Sequence, residues 1–126
     1  MRVLMITILA TLTSVVLSSP TVRARELAET LERVKPSVVA VGTVQRTRRP
    51  PTLFRGTGFV VGDGRYVITN AHVLPESLDE AHKEQLSVFS GRGREAKVHA
   101  VQVLGSDRVH DLALLKLQGS SLPALE

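Results

Sequence analysis

The sequence contains no cysteine and no tryptophan. No disulfide can brace it, so its fold rests on a packed apolar core alone. The length of 126 residues suits one domain rather than two and exceeds the size at which staples become necessary. Aromatic side chains are scarce: three Phe and one Tyr. Nucleic-acid binding asks for a basic face with stacking rings, and here the basic residues are scattered apart from one loop. No nucleic-acid partner is expected. No apolar run reaches the about 20 residues of a comfortable membrane span. The longest, Val3 to Leu17, follows Met1-Arg2 and fits the apolar region of a secretory signal. Val22-Arg23-Ala24 supplies small or aliphatic residues for cleavage after Ala24, with Ser18 as the second choice. Residues 1–24 are therefore expected to be a signal peptide, with an uncleaved anchor as the competing reading. After cleavage no stable membrane span is expected. Removing Arg2 and Arg23 also lowers the basic excess of +4.

Close histidine pairs are absent too. His72, His82, His99 and His110 are widely spaced and have no cysteine beside them. Zinc sites favour tight pairs such as H-x₃₋₅-H. No metal and no cofactor are expected.

What is present has two periods. Residues 25–36 place Leu27, Leu31 and Val34 at helical spacing with charges opposite, a short amphipathic helix closed by Pro36. From residue 37 the period becomes that of strands. Six are predicted: Ser37–Val44, Phe59–Val61, Tyr66–Thr69, Gln85–Phe89, Ala96–Leu104 and Leu112–Leu117. Gly62-Asp63-Gly64-Arg65 reads as a tight hairpin turn, with Asp63 and Gly64 as the central pair that tolerates positive φ. Gln45–Arg55, with Arg46, Arg48, Arg49 and two prolines, reads as a solvated loop that proteases could nick at Arg48-Arg49. A helical turn is expected within Glu76–His82. In Ala96–Leu104, Val98, Ala100 and Val101 or Val103 are expected to line the core while Lys97, His99 and Gln102 face out. The predicted fold is all-β: a six-stranded antiparallel barrel with a short N-terminal helix.

Two residues stand where a barrel rim would expose them. His72 just follows one strand, and Asp111 just precedes another. A carboxylate on one imidazole nitrogen fixes the tautomer and stabilises the imidazolium formed when the other nitrogen takes a proton. Composition alone leaves bland readings open, because a lone His is often a surface or capping residue and an Asp before a strand is often a turn residue.

The strings "GTGFVVGDGRYVITNAHVL" and "DLALLKL" carry more information. Together, in this order, they resemble the amino-terminal half of a trypsin-like (chymotrypsin-fold) serine protease, of the bacterial, disulfide-free HtrA/Deg branch. "GTGF" (Gly56–Phe59) differs from that family's "GSGF" at Thr57, whereas "TNAHV" (Thr69–Val73) and "DLALLK" (Asp111–Lys116) match. The resemblance implies that residues 37–119 form the first barrel of a double-barrel peptidase, with His72 as general base and Asp111 as its orienter. Asp107, four residues earlier, is the rival carboxylate. The family's nucleophile sits on a "GNSGGP"-type loop of a second barrel, and no serine of this chain lies in such a loop. Residues 120–126 are expected to begin the crossover to that second barrel, whose packing face on the first would be left apolar.

The implied activity is serine-type endopeptidase, hydrolysing peptide bonds with a Ser-His-Asp triad in periplasmic protein quality control. The chain alone, lacking the serine, is expected to be inactive. The implied partners are unfolded or damaged polypeptides and, in the full-length protein, a homotrimer. The implied location is the bacterial periplasm or the exterior. The alternative is a non-catalytic pseudo-protease or truncated barrel acting only in binding.

Overall fold

The computed structural model describes residues 20–126. The signal-peptide reading lies outside the described residues apart from residues 20–24. Those begin the first helix, α1 (Pro20–Val34), which starts earlier than its expected bound. Proline at the first helical position forfeits only an N–H that has no partner there. Among the described residues no helix is long and apolar enough to cross a membrane. Leu27 and Leu31 of α1 remain exposed.

Six strands follow: β1 (Val38–Val44), β2 (Thr52–Val61), β3 (Tyr66–Thr69), β4 (Gln85–Ser90), β5 (Lys97–Asp107) and β6 (Leu112–Leu117). They close antiparallel into a barrel in the order β1-β2-β3-β6-β5-β4. The expected class is therefore the observed one. Closure removes the sheet edges that a cysteine-free, aromatic-poor chain would otherwise expose. The interior is filled largely by β-branched side chains. Val41, Val60, Val67, Val88 and Leu115 are fully buried, with Val39, Val73 and Leu117 nearly so. Leu122 and Ala124 of the C-terminal tail pack against this core, and the Leu125 N–H donates to the Val60 carbonyl at 2.7 Å.

Three local expectations are corrected. β2 starts at Thr52 rather than Phe59, because β1 offers a partner along its whole length, with Val44 opposite Thr52. Cross-strand pairing overrides the loop-like composition of Thr52–Arg55. In β5 the expected facing holds for Val101, Lys97 and Gln102 but fails for Val98, Ala100 and His99. Val98 is exposed, whereas His99 and Val101 turn inward, opposite Val88 and Leu117. Partners in register share a face, so the neighbours of β5 decide what its own mixed pattern leaves open. In the β2–β3 turn the positive φ values fall on Gly62 and Gly64, not on Asp63. The Asp63 carboxylate instead accepts from the Arg65 N–H.

The arginine loop is tied down rather than free. Arg48 donates to Glu84 at 2.8 Å, to the Thr43 hydroxyl at 3.0 Å and to the Pro51 carbonyl at 3.3 Å. Glu84 also accepts from the Thr43 hydroxyl at 2.6 Å and the Asp79 N–H at 3.0 Å. The Thr43 hydroxyl, then the Asp79 N–H and Arg48, hold the Glu84 carboxyl down at about 2, from an ordinary 4.5. The side chains are 26% and 13% exposed, so removing one partner strands the other. Arg48→Met should cost about 2 kcal/mol and lower Tm by roughly 10 °C. A depressed carboxyl stabilises the fold fully above its unfolded value and progressively less as pH falls toward its folded one. Stability should therefore fall between about pH 5 and pH 2.5, and Glu84→Gln should flatten that fall in urea melts. An unchanged slope would show that Glu84 is not the group responsible.

Candidate active site

β3 ends at Thr69, and the chain turns at once. Asn70 is still extended, and Ala71–Val73 form one 3₁₀ turn. Ala71 and Val73 are buried while His72 between them is exposed. Two apolar anchors thus fix the turn and leave the imidazole at the rim. β2 braces it from beside. A side chain on Gly56 would come within 2.5 Å of Val73 Cγ2, which accounts for the first glycine of "GTGF". Arg55 Nε donates to the Val73 carbonyl at 2.7 Å, and the Thr69 hydroxyl donates to the Thr57 carbonyl at 2.7 Å.

The second half of the site comes from β6. β3 pairs with β6 so that Thr69 lies opposite Ala113. Residues just past Thr69 and just before Leu112 are therefore neighbours in space. Asp111 Oδ2 stands 2.6 Å from His72 Nδ1, and Asp111 Oδ1 accepts from the His72 backbone N–H at 2.9 Å. One carboxylate grips both the ring and the backbone of the same residue, 39 positions away. The His72 N–H and then the His72 ring hold the Asp111 carboxyl below the usual carboxylate range, against a weaker opposing effect of desolvation. An ionised carboxylate only accepts, so Nδ1 of the neutral imidazole carries the hydrogen and Nε2 keeps a free lone pair. The His72 side chain is 70% exposed, which leaves Nε2 open to a further partner.

Asn70 completes the junction. Its Nδ2 donates to the Asp111 carbonyl at 3.0 Å. Sequence reasoning did not single out Asn70; its only signal was its place inside "TNAHV".

The other candidates fall elsewhere. Asp107 pairs with His110 at 2.6 Å, not with His72. Asp79 pairs with His82 at 2.8 Å. Each of these pairs joins residues three apart in one turn, whereas His72 and Asp111 join the ends of two strands. His99 is 2.7 Å from the Ser90 hydroxyl, on β5 and β4. Burial, with Lys97 adding repulsion, holds its imidazole below the ordinary histidine value. In the closed strand order β4 lies three strands from β3 in either direction, so Ser90 stands across the barrel from the end of β3 that leads to His72. Among the described residues no group of three or more His, Asp or Glu could hold a metal ion.

Next to Asp111 the outer wall is apolar. Phe59, Ile68 and Leu114 stand opposite one another in register across β2, β3 and β6, all exposed. Ile68, Leu112, Leu114 and Gly105 line a groove of about 340 Å³ beside them.

Comparison with known proteins gives a consistent picture. Residues 56–126 match the model of the trypsin-like peptidase domain. The chain is 38% identical over 71 residues to a probable periplasmic serine endoprotease DegP-like of Chlamydia muridarum, covering 56% of this chain and 12% of that protein. It is 30% identical over 115 residues to the human serine protease HTRA3, covering 86% of this chain and 24% of that protein. Among solved structures, the serine endoprotease from Yersinia pestis superposes with a TM-score of 0.57 at 28% identity, over 77% of this chain and 31% of that one. The chain thus spans between an eighth and a third of the length of these proteins. It is a member of the trypsin-like peptidase domain family, with HtrA/DegP serine proteases as its relatives.

Proposed function

We propose that this barrel supplies the base half of a serine endopeptidase. His72 acts as general base through Nε2. Asp111 orients the ring through Nδ1 and stabilises the imidazolium that forms as the base takes a proton. The observation that carries this reading is the 2.6 Å contact between His72 Nδ1 and Asp111 Oδ2. Its support is the Asp111 carboxylate, which accepts the Nδ1 hydrogen and so leaves Nε2 as the proton-accepting nitrogen of the neutral ring. The proton moves from the serine hydroxyl to Nε2 as its oxygen attacks the scissile carbonyl. It then passes from Nε2 to the leaving amine, and a water repeats the cycle on the acyl-enzyme.

The serine and the oxyanion-binding N–H groups are assigned to a second barrel. The exposed row of Phe59, Ile68 and Leu114, with the groove at Leu112, supports packing of such a barrel beside Asp111. The substrate class proposed is unfolded or damaged polypeptide, in protein quality control after export to the periplasm or beyond. Homotrimeric assembly belongs to the same proposal for the whole protein.

A base without nucleophile and oxyanion donors cannot form a tetrahedral intermediate. The 126-residue chain, assayed alone on an unstructured protein such as a casein, is expected to show no turnover. Turnover that His72→Ala abolishes would overturn the assignment of the serine to a second barrel.

A further inference from the structure

Among the described residues, non-glycine residues with positive φ occur at two places: Lys83 (φ 55) and Asp111 (φ 54). Each directly follows an Asp-x-x-His turn. In the first, Asp79 Oδ1 accepts from the His82 N–H at 3.2 Å and Asp79 Oδ2 lies 2.8 Å from His82 Nδ1. In the second, Asp107 Oδ1 accepts from the N–H groups of Val109 at 2.9 Å and His110 at 3.1 Å. Asp107 Oδ2 lies 2.6 Å from His110 Nδ1. The two turns differ in sequence at both middle positions, Glu80-Ala81 against Arg108-Val109. They share the aspartate, the histidine and the left-handed residue that follows.

A left-handed non-glycine residue is disfavoured by about 1 kcal/mol or more and persists only where its surroundings over-determine it. At Asp111 the surroundings are few. β5 and β6 are still paired at Asp107 and Leu112, so residues 108–111 must reverse the chain between them. Asn70 holds the Asp111 carbonyl from one side. On the other side stands the Asp107 turn. The backbone direction it sets decides where the Asp111 carboxylate goes, and that carboxylate must meet the His72 N–H and ring together.

We propose that Asp107 is a positioning residue: its carboxylate locks the 107–110 turn and thereby imposes the left-handed backbone at Asp111 that aims its side chain at His72. Asp107 thus acts through Asp111 and never on His72 itself. This rests on the reading of His72 and Asp111 as base and orienter, and it gives the rival carboxylate of the sequence a distinct role. His110 closes the same turn. Its ring bonds to Asp107, which keeps it engaged away from His72.

The test is hydrogen exchange by NMR on the full 126-residue chain, comparing wild type, Asp107→Ala and Asp107→Asn. The His72 backbone N–H reports the aim of Asp111, the Val109 and His110 N–H groups report the turn, and the Leu115 N–H reports the barrel. Asp107→Ala should speed exchange at Val109, His110 and His72 by about tenfold or more while Leu115 is unchanged. Asp107→Asn keeps an acceptor oxygen for the turn and should hold all three within about threefold of wild type. Freed turn amides with His72 still protected in Asp107→Ala would overturn the proposal. If Asp107→Ala unfolds the barrel, Asp107→Asn decides. There, protected turn amides beside an unprotected His72 would overturn it, and parallel behaviour of the three supports it. A His72 N–H already unprotected in the wild type would instead sink the underlying His72–Asp111 pairing.

Discussion

Replacing His72 with alanine, in a polypeptide that joins this barrel to a serine-bearing second barrel, should lower kcat by about 10⁴-fold or more. On the proposed role KM should stay within a few-fold, because a general base contributes to the transition state rather than to holding substrate. Asp111→Asn should cost a similar amount, about 10⁴-fold, by a different route. An amide can donate to Nδ1 and so favours the tautomer with hydrogen on Nε2, the nitrogen that must be bare. The two losses should not add: the double variant should be about as slow as the worse single one, since both disable one unit. Asp79→Asn makes the same chemical change in a His–Asp pair closed within one turn, and it should leave kcat within about twofold. A comparable loss in that variant would show that the effect is general to the fold. Steady-state kinetics on a fluorogenic unstructured substrate separates these outcomes.

Leu115→Ala should be the most damaging change to the barrel. Leu115 is fully buried among Val41, Val60, Val67 and Val88. Rigid β-branched neighbours on closed strands cannot collapse into the space it leaves, so the cost should be near the upper part of the usual range, about 3–4 kcal/mol. For a barrel of this size that corresponds to a fall in Tm of roughly 15–25 °C. The adjacent Leu114 is exposed on the outer face. Leu114→Ala should cost less than about 1 kcal/mol. Calorimetry on the two variants reads the alternation of β6 directly. Equal losses would mean that the outer row is already covered in solution.

The two leucines also show why parts of this fold are legible in sequence. "DLALLKL" alternates cleanly, so β6 and its inward set follow from period two. "YVIT" behaves likewise. "AKVHAVQVL" carries apolar residues on both parities, and only pairing with Val88 and Leu117 fixes its facing. Thr52–Arg55 looks like loop because prolines and arginines surround it, yet β1 recruits it as strand. Arg48 reads as one of several exposed arginines. Its fixed place depends on Thr43 and on Glu84, 36 residues away, a contact that no local pattern encodes.

The site follows the same division. His72 and Asp111 are visible because two strings match a family, not because their spacing or composition points to them. Three Asp–His pairs occur among the described residues, with Nδ1–Oδ2 distances between 2.6 and 2.8 Å. Sequence marks two as turns only through their three-residue separation. The parts of Asn70 and Asp107 were hidden, because both act through backbone geometry. One holds the Asp111 carbonyl, and the other closes the turn that precedes it.

The most direct test of the His72–Asp111 pairing is the ring tautomer of His72, read from ¹⁵N shifts in the full chain at about pH 7.5, where an ordinary imidazole is neutral. The expected result is hydrogen on Nδ1 and a bare Nε2, with the Nδ1–H proton at low field and lost in Asp111→Asn. A His72 ring protonated on Nε2, and indifferent to Asp111→Asn, would contradict it.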